Sequence, residues 1–410
     1  MKNIKKKSYG KEILKNISLV IFSILLAIYM LEIAYSLYNI SGYKYKKWEN
    51  KKRSRFDIYM DYKNSGKDAV VAIPPNFFVS DYKYKKNEYN LHPLSGISNK
   101  STIMCNEGFW KTYKSDRYGF NNPDNTWDKL HFDYVLIGDS YGHGDCVYEK
   151  YTIAGQLRNK TEVLNLSYGG NGPLLEYATL REYFKNIKTK NVLWLYYVND
   201  SANLKLELSN KVLIRYLKDI NFTQDLINRQ KEIDHITSNA LLQELKTYQS
   251  KKNVLFRFEE FNFKNVLLLV SIRYRLSWMF KIDLNNINLI SSRIGFFHKE
   301  DKPNYLDEFS EILVQANNLV TKNNSKFYFV YLPMYPGVYN STTNKQSLQS
   351  YKKVINLVEK LNIPIIDLYK DLFSKHPDPK SLFPLRVLNH YNEEGYRLVT
   401  KTILENMRGL

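Results

Sequence analysis

An apolar run that stops at a glycine and turns at once on a serine constrains this chain more than any other feature. Tyr134 to Val147 reads YVLIGDSYGHGDCV. Tyr134 to Ile137 has the length and apolar character of a short buried strand, and Gly138-Asp139-Ser140 followed by Gly142 and Gly144 is turn chemistry. Such a strand end is where open α/β sheets expose reactive groups. Ser140 is therefore a candidate nucleophile. It is equally suited to cap a helix, because a serine after a strand can accept a hydrogen bond from the next turn.

Three further segments follow in an order that suits serine chemistry. Asn165-Leu166-Ser167-Tyr168-Gly169-Gly170-Asn171-Gly172-Pro173 comes after a short strand around Val163 and Leu164. A strand from Val192 to Val198 ends in Asn199-Asp200, and His390 lies in Asn389-His390-Tyr391-Asn392 near the C-terminus. Taken singly, each has an ordinary reading: the glycine cluster is a loop signature, Asn199-Asp200 can cap a helix, and His390 can precede one. As an ordered set, the four blocks resemble the SGNH (GDSL-type) hydrolase family. The resemblance runs from about Tyr118 to Ile403 and is interrupted by a long middle segment.

The resemblance implies a fold and a chemistry. The fold is a three-layer α/β/α domain with a mostly parallel, flavodoxin-like sheet. In the chemistry, His390 takes the Ser140 proton as general base and later returns it as general acid. The family's oxyanion donors carry over to the Ser140 amide, the Gly170 amide and the Asn199 side chain. A glycine suits the second position because backbone that approaches substrate closely tolerates no Cβ. The chain departs from the family at one position. Where an aspartate usually stands three residues before the histidine, this sequence has Val387. That leaves a Ser-His dyad oriented by a backbone carbonyl, an acid from elsewhere such as Asp378 or Asp367, or an inactive site. Asp139 is expected to bond local backbone amides instead.

The N-terminus decides where this chemistry takes place. Residues 1–16 form a basic tail with six lysines and one glutamate, and residues 17–40 are almost wholly apolar. As a helix that run reaches roughly 36 Å, enough to cross a bilayer core. A cleaved signal is the rival, with Ala34-Tyr35-Ser36 as a small-x-small site, but apolar character resuming beyond Ser36 favours an uncleaved anchor. Lysines and arginines on both sides of the run leave little positive-inside asymmetry. First-helix precedence and the long downstream domain favour an extracytoplasmic C-terminal portion. Cys105 and Cys146 both fall in that portion, and a disulfide between them would tie the incoming loop to the rim of the Ser140 turn. They lack the spacing of a zinc site.

The formal charge of +19 raises the question of nucleic acid. Its lysines are scattered, however, and no recognition helix, zinc finger or single-strand-binding signature accompanies them. Nor does GDSYGHG have the lysine and spacing of a P-loop, so no cofactor is expected.

Residues 41–117 read as a linker and irregular lead-in, and residues 118–410 as the hydrolase-like domain. Within that domain a helical insertion spans about 204–293, with helical patterning at Lys211 to Leu217 and Asp225 to Leu245 and an apolar patch from Val266 to Ile272. The α/β alternation then resumes: helix Leu306 to Lys322, strand Lys326 to Leu332, helix Gln346 to Leu361, strand Ile363 to Leu368 and a last helix near Gly395 to Met407. The expectation is a membrane-anchored serine acyl esterase acting on O-acyl groups of an envelope or exported polysaccharide. A polysaccharide O-acetyltransferase using the same acyl-serine intermediate and a catalytically silent carbohydrate-binding or assembly protein are the alternatives.

Overall fold

The computed structural model describes residues 2–40, 54–80, 91–107, 110–198, 200–253, 266–267, 269, 305–333, 345–386 and 390–409. Residues 1–54 with 246–302 form one unit, and residues 55–245 with 303–410 form another.

The first unit holds helix α1 (Lys2–Ile40). Its segment Lys15–Ala34 has a mean hydropathy of 2.4 over 20 residues, long and apolar enough to cross a membrane. Ile17, Leu19, Val20, Ile21 and Phe22 all point outward, leaving an apolar surface that water would not favour. The same length and composition would serve a signal sequence. The expected linker residues 41–53 and most of the expected insertion beyond residue 253, including four of the seven residues of the 266–272 patch, lie outside the described residues.

The second unit opens with α2 (Arg55–Asn64). It continues into a three-stranded sheet of β1 (Ala69–Val71), β2 (Ser101–Asn106) and β3 (Trp110–Lys114). The sequence suggests an irregular lead-in here, so this sheet is a correction. β1 pairs with β2 in parallel, Ala69 facing Ser101, and β2 turns back on β3 as an antiparallel hairpin. A strand of three residues has too little length for a period-2 pattern to show.

The main sheet is parallel throughout, in the order β5-β4-β6-β7-β8. Its strands are β4 (His131–Gly138), β5 (Val163–Asn165), β6 (Lys188–Tyr197), β7 (Lys326–Leu332) and β8 (Ile365–Asp367). From β4 the chain goes to one side to make β5 and to the other to make β6. Strand order therefore reverses at β4, and a crevice opens at its C-terminal end, where Ser140 follows.

Both faces of the sheet are covered, which is why its strands read as continuous apolar runs. On one face Leu136, Leu193, Leu195, Val330 and Ile366 share a core with two helices. These are α3 (Ile153–Arg158), through Ile153 and Leu157, and the C-terminal helix α6 (Glu393–Gly409), through Tyr396, Val399 and Ile403. On the other face Tyr196 and Phe329 meet Phe309, with ring centroids 5.4 and 6.4 Å away. Phe309 belongs to α5 (Leu306–Lys322), which buries Phe309, Ile312, Leu313, Ala316 and Val320 as one helical stripe. On the same side of the chain order, α4 (Pro173–Tyr183) links β5 to β6 and starts on a proline, the residue best tolerated in a first turn. Residues 200–253 form helices Asp200–Glu207, Leu213–Lys218 and Gln230–Asn253, in the region where helical patterning is expected.

Candidate active site

β4 delivers Ser140 because its last residues are locked into the sheet on both sides, Leu136 against Asn165 and Leu193, and Gly138 against Leu195. Asp139 then turns the chain. Its side chain accepts a hydrogen bond from the Tyr141 amide at 2.9 Å, capping the short helical turn Ser140–His143. This is the local role expected for Asp139. Ser140 Oγ lies 3.5 Å from the other Asp139 carboxylate oxygen and, much closer, 2.8 Å from His390 Nε2.

The chain after β5 is drawn in beside this turn. The Leu166 amide donates to the Leu136 carbonyl at 2.8 Å and the Tyr168 amide to the Gly138 carbonyl at 3.1 Å, so the ladder continues past the strand. The Asn165 side chain donates to the Gly142 carbonyl at 2.9 Å. Gly170 sits at φ +80°, a left-handed conformation that L side chains rarely adopt. A Cβ there would lie 2.5 Å from Asn76 Nδ2. Asn199 falls outside the described residues, between β6 and an Asp200 whose carboxylate accepts from the Tyr197 amide at 3.1 Å.

His390 is held from three directions. The Tyr141 ring lies 4.8 Å from the imidazole. The next residue, Tyr391, is fully buried and donates its hydroxyl proton to the Pro333 carbonyl at 2.8 Å. Asn392 caps the helix that follows, accepting from the Gly395 amide at 2.8 Å.

The third hold corrects the dyad expectation. His390 Nδ1 lies 2.8 Å from Glu107 Oε1, and the His390 backbone amide donates to Glu107 Oε2 at 2.9 Å. Both carboxylate oxygens are thus spent on one histidine. Asp378 is instead paired with Arg386 at 2.7 and 2.8 Å, and Asp367 accepts from the Tyr351 hydroxyl at 2.5 Å and the Lys370 amide at 3.1 Å. Neither proposed acid orients the imidazole. Val387 itself lies outside the described residues. Sequence reasoning missed Glu107 because it stands 283 residues from His390, yet one signal pointed to it. It lies two residues after Cys105, the cysteine whose partner would be Cys146.

Cys105 and Cys146 are joined as a disulfide, with Cα atoms 5.0 Å apart. Cys146 Sγ lies 3.4 Å from His390 Nδ1. Donor atoms of Cys105, Glu107, Cys146 and His390 all fall within 4.8 Å of one another, the one group of metal-ligand types so placed among the described residues. While the two sulfurs are bonded to each other they are not thiolates, the form in which cysteine ligates a metal.

The electrostatics follow from burial and neighbours. Burial disfavours the His390 imidazolium, but the Glu107 hydrogen bond and the charges of Asp145, Glu107 and Asp139 outweigh it, holding the pKa above the usual 6.5. Asp139, Glu176, Asp200 and Glu207 are all buried carboxyls. Burial, reinforced by Asp200, Asp139 and Glu207, pushes Glu176 well above the carboxylate range, and burial with the Asp139 charge does the same to Asp200. Burial also lifts Glu207 to about 7, against the amides of Leu174, Gly172 and Leu175 that it accepts from. A groove of about 940 Å³ opens beside Glu107 and Cys146, lined among others by Lys111, Tyr151, Asn159 and Asn392.

No protein-family model and no curated protein sequence matches the chain. Among solved structures it is similar to a member of the lipolytic protein G-D-S-L family from Veillonella parvula, at 11% identity over 69% of this chain and 100% of that one, TM-score 0.37. It is also similar to an acetyl xylan esterase, at 12% identity over 67% of this chain and 98% of that one, TM-score 0.34. A lipase/acylhydrolase from Enterococcus faecalis matches at 13% identity over 68% of this chain and 96% of that one, TM-score 0.34.

Proposed function

We propose that this chain is a membrane-tethered serine acyl esterase working through Ser140, His390 and Glu107. The observation that carries the reading is the continuous hydrogen-bonded line from Ser140 Oγ through both ring nitrogens of His390 to Glu107. Glu107 accepts the hydrogen bond of Nδ1–H and so leaves Nε2 as the acceptor. His390 Nε2 removes the Ser140 proton as Oγ attacks the ester carbonyl. The resulting oxyanion is held by the Ser140 and Gly170 amides and the Asn199 side chain. His390 then protonates the leaving alcohol, and a water activated by the same nitrogen releases the acyl group from Ser140.

The substrate class in this proposal is an O-acylated polysaccharide of the envelope or an exported polysaccharide. The groove beside Glu107 supports it, because its lining combines one aromatic ring with amide and charged groups, a mixture suited to sugar hydroxyls. The apolar helix Lys15–Ala34 supports placement at a membrane, and in this proposal the domain lies outside the cytoplasm, as first-helix precedence favours. Alkaline carbonate extraction should leave the chain with the membrane, and added protease should reach the domain from outside. A chain released as a soluble cytoplasmic product would overturn that placement.

Labelling with a fluorophosphonate followed by mass spectrometry of the intact protein tests the chemistry. One adduct, mapped to Ser140, is expected, together with release of acetate from an acetyl ester. Acetate transferred to a sugar acceptor in place of water would reassign the protein as an O-acetyltransferase. A folded protein that takes no label and turns over no ester would instead make it a binding protein.

Two oxyanion variants give graded outcomes. Asn199→Ala is expected to lower kcat roughly 10²- to 10³-fold, the usual effect of losing one oxyanion donor. Gly170→Ala should also reduce kcat, because the new Cβ meets Asn76 and the left-handed backbone must shift. Thermal melting separates this loss from unfolding.

A further inference from the structure

We infer that the Cys105–Cys146 disulfide is the positioning device for Glu107, so that reducing it uncouples the acid from His390 and lowers turnover. The inference rests on the reading of Glu107 as the third member of the site. Glu107 does not come from the sheet that delivers Ser140. It sits just past β2, at the tip of the hairpin between β2 and β3, in the smaller sheet. The five-stranded sheet makes no ladder with this hairpin. A side chain on such a tip keeps its place only as well as the tip does.

The disulfide fixes that tip at the required end. Cys105 is two residues before Glu107, and Cys146 is six residues after Ser140. The bond, with a sequence separation of 41, therefore closes a covalent ring that contains both the acid and the nucleophile. Cys146 takes a positive φ of 70°, a conformation uncommon for a non-glycine residue, three residues after the Ser140–His143 turn ends. Its sulfur comes within 3.4 Å of His390 Nδ1, the same nitrogen that Glu107 holds. One edge of the imidazole is therefore flanked by both the carboxylate and the bridge.

Opening the bridge changes both. A dithiol reductant transfers two electrons and two protons: the S–S bond breaks, Cys105 and Cys146 become thiols, and the reductant closes its own disulfide. The hairpin tip is then tied to the Ser140 turn only by non-covalent contacts. A Cys146 thiol or thiolate also faces Nδ1, and it competes with Glu107 for that hydrogen bond.

The experiment compares oxidised and dithiol-reduced protein, with EDTA present and thiols counted by mass, in wild type and in Glu107→Gln. Reduction of the wild type is expected to lower kcat on the order of 10²-fold with little change in KM. In Glu107→Gln it should cost no more than a few-fold, because the positioned group is already gone. NMR of 15N-histidine-labelled protein supplies a reading independent of turnover: the downfield Nδ1 proton of His390 bonded to Glu107 should be present when oxidised and lost when reduced. The double variant Cys105→Ser/Cys146→Ser should behave as the reduced protein does. Equal losses in wild type and Glu107→Gln, or a downfield proton that survives full reduction, would overturn the inference. A proton that disappears on reduction in a protein with no ester turnover would keep the positioning role and sink the esterase reading instead.

Discussion

Ser140→Ala is expected to reduce ester turnover on the order of 10⁶-fold, His390→Ala to do about the same, and the double variant to fall no further. Non-additivity is the informative part. The 2.8 Å contact between Ser140 Oγ and His390 Nε2 makes proton removal and attack one event, so losing either partner removes the whole step. What remains would be the contribution of the oxyanion donors and of binding. Single-turnover kinetics with an acetyl ester, alongside thermal melts of each variant, gives the measurement. Full activity in Ser140→Ala would exclude this serine as the nucleophile.

Glu107→Gln should be damaging but less so, at roughly 10³- to 10⁴-fold in kcat, or about 4 to 5.5 kcal/mol of barrier. Glutamine is nearly isosteric, so the cause is chemical. Glu107 accepts two hydrogen bonds, one on each oxygen, from the His390 backbone amide and from Nδ1, whereas a carboxamide has one oxygen to offer. If the backbone amide keeps that oxygen, the NH₂ faces Nδ1 and the ring must carry its proton on Nε2, the wrong tautomer for accepting one from Ser140.

The pH profile adds a sign. His390 must be neutral to act as base, and its pKa is held above 6.5, so kcat/KM in the wild type should rise with pH through a value above 6.5. In Glu107→Gln the raising hydrogen bond and charge are gone while burial remains, so the acid limb should move to lower pH. An unmoved limb would mean that Glu107 does not reach the titrating ring. Aspartate introduced at Val387 is expected to bring no gain, because Nδ1 is already engaged.

Most of the main sheet was legible because its physics is local. Lys326–Leu332 is buried on both faces and reads as one apolar run, and the stripe Phe309, Ile312, Leu313, Ala316, Val320 declares its helix by spacing alone. Ser140 and His390 stood out as candidates through the order of the four blocks and the resemblance it carries, and the structure sets their Oγ and Nε2 atoms 2.8 Å apart. Glu107 was not legible by periodicity. It belongs to a small sheet whose first strand pairs residues 32 apart, Ala69 with Ser101, and non-local pairing leaves no pattern in a short window. The absent aspartate near Val387 showed that an acid was missing without showing where it had gone. In the structure the Cys105–Cys146 bond ties the loop that carries Glu107 to the Ser140 turn.

The buried carboxyls around the Ser140 turn make folding of this domain an event that takes up protons. Glu176, Asp200 and Glu207, along with Asp116 lifted by burial to about 6, bind a proton more tightly folded than unfolded. Their contribution to stability is fully present below the unfolded carboxyl range near pH 4 and is lost as pH rises through the folded values. For Glu207, raised from 4.5 to about 7, the loss is on the order of 3 kcal/mol across that window. Half-buried carboxylates such as Asp124 and Asp133, held low by Arg117 and Lys190, work in the opposite direction but are partly screened by water. Calorimetric unfolding near pH 6 should therefore release protons to the buffer, with the observed heat depending on the buffer's own ionisation enthalpy. The domain behaves as a weak-acid reservoir that is charged when it folds, and an alkaline surrounding draws on it.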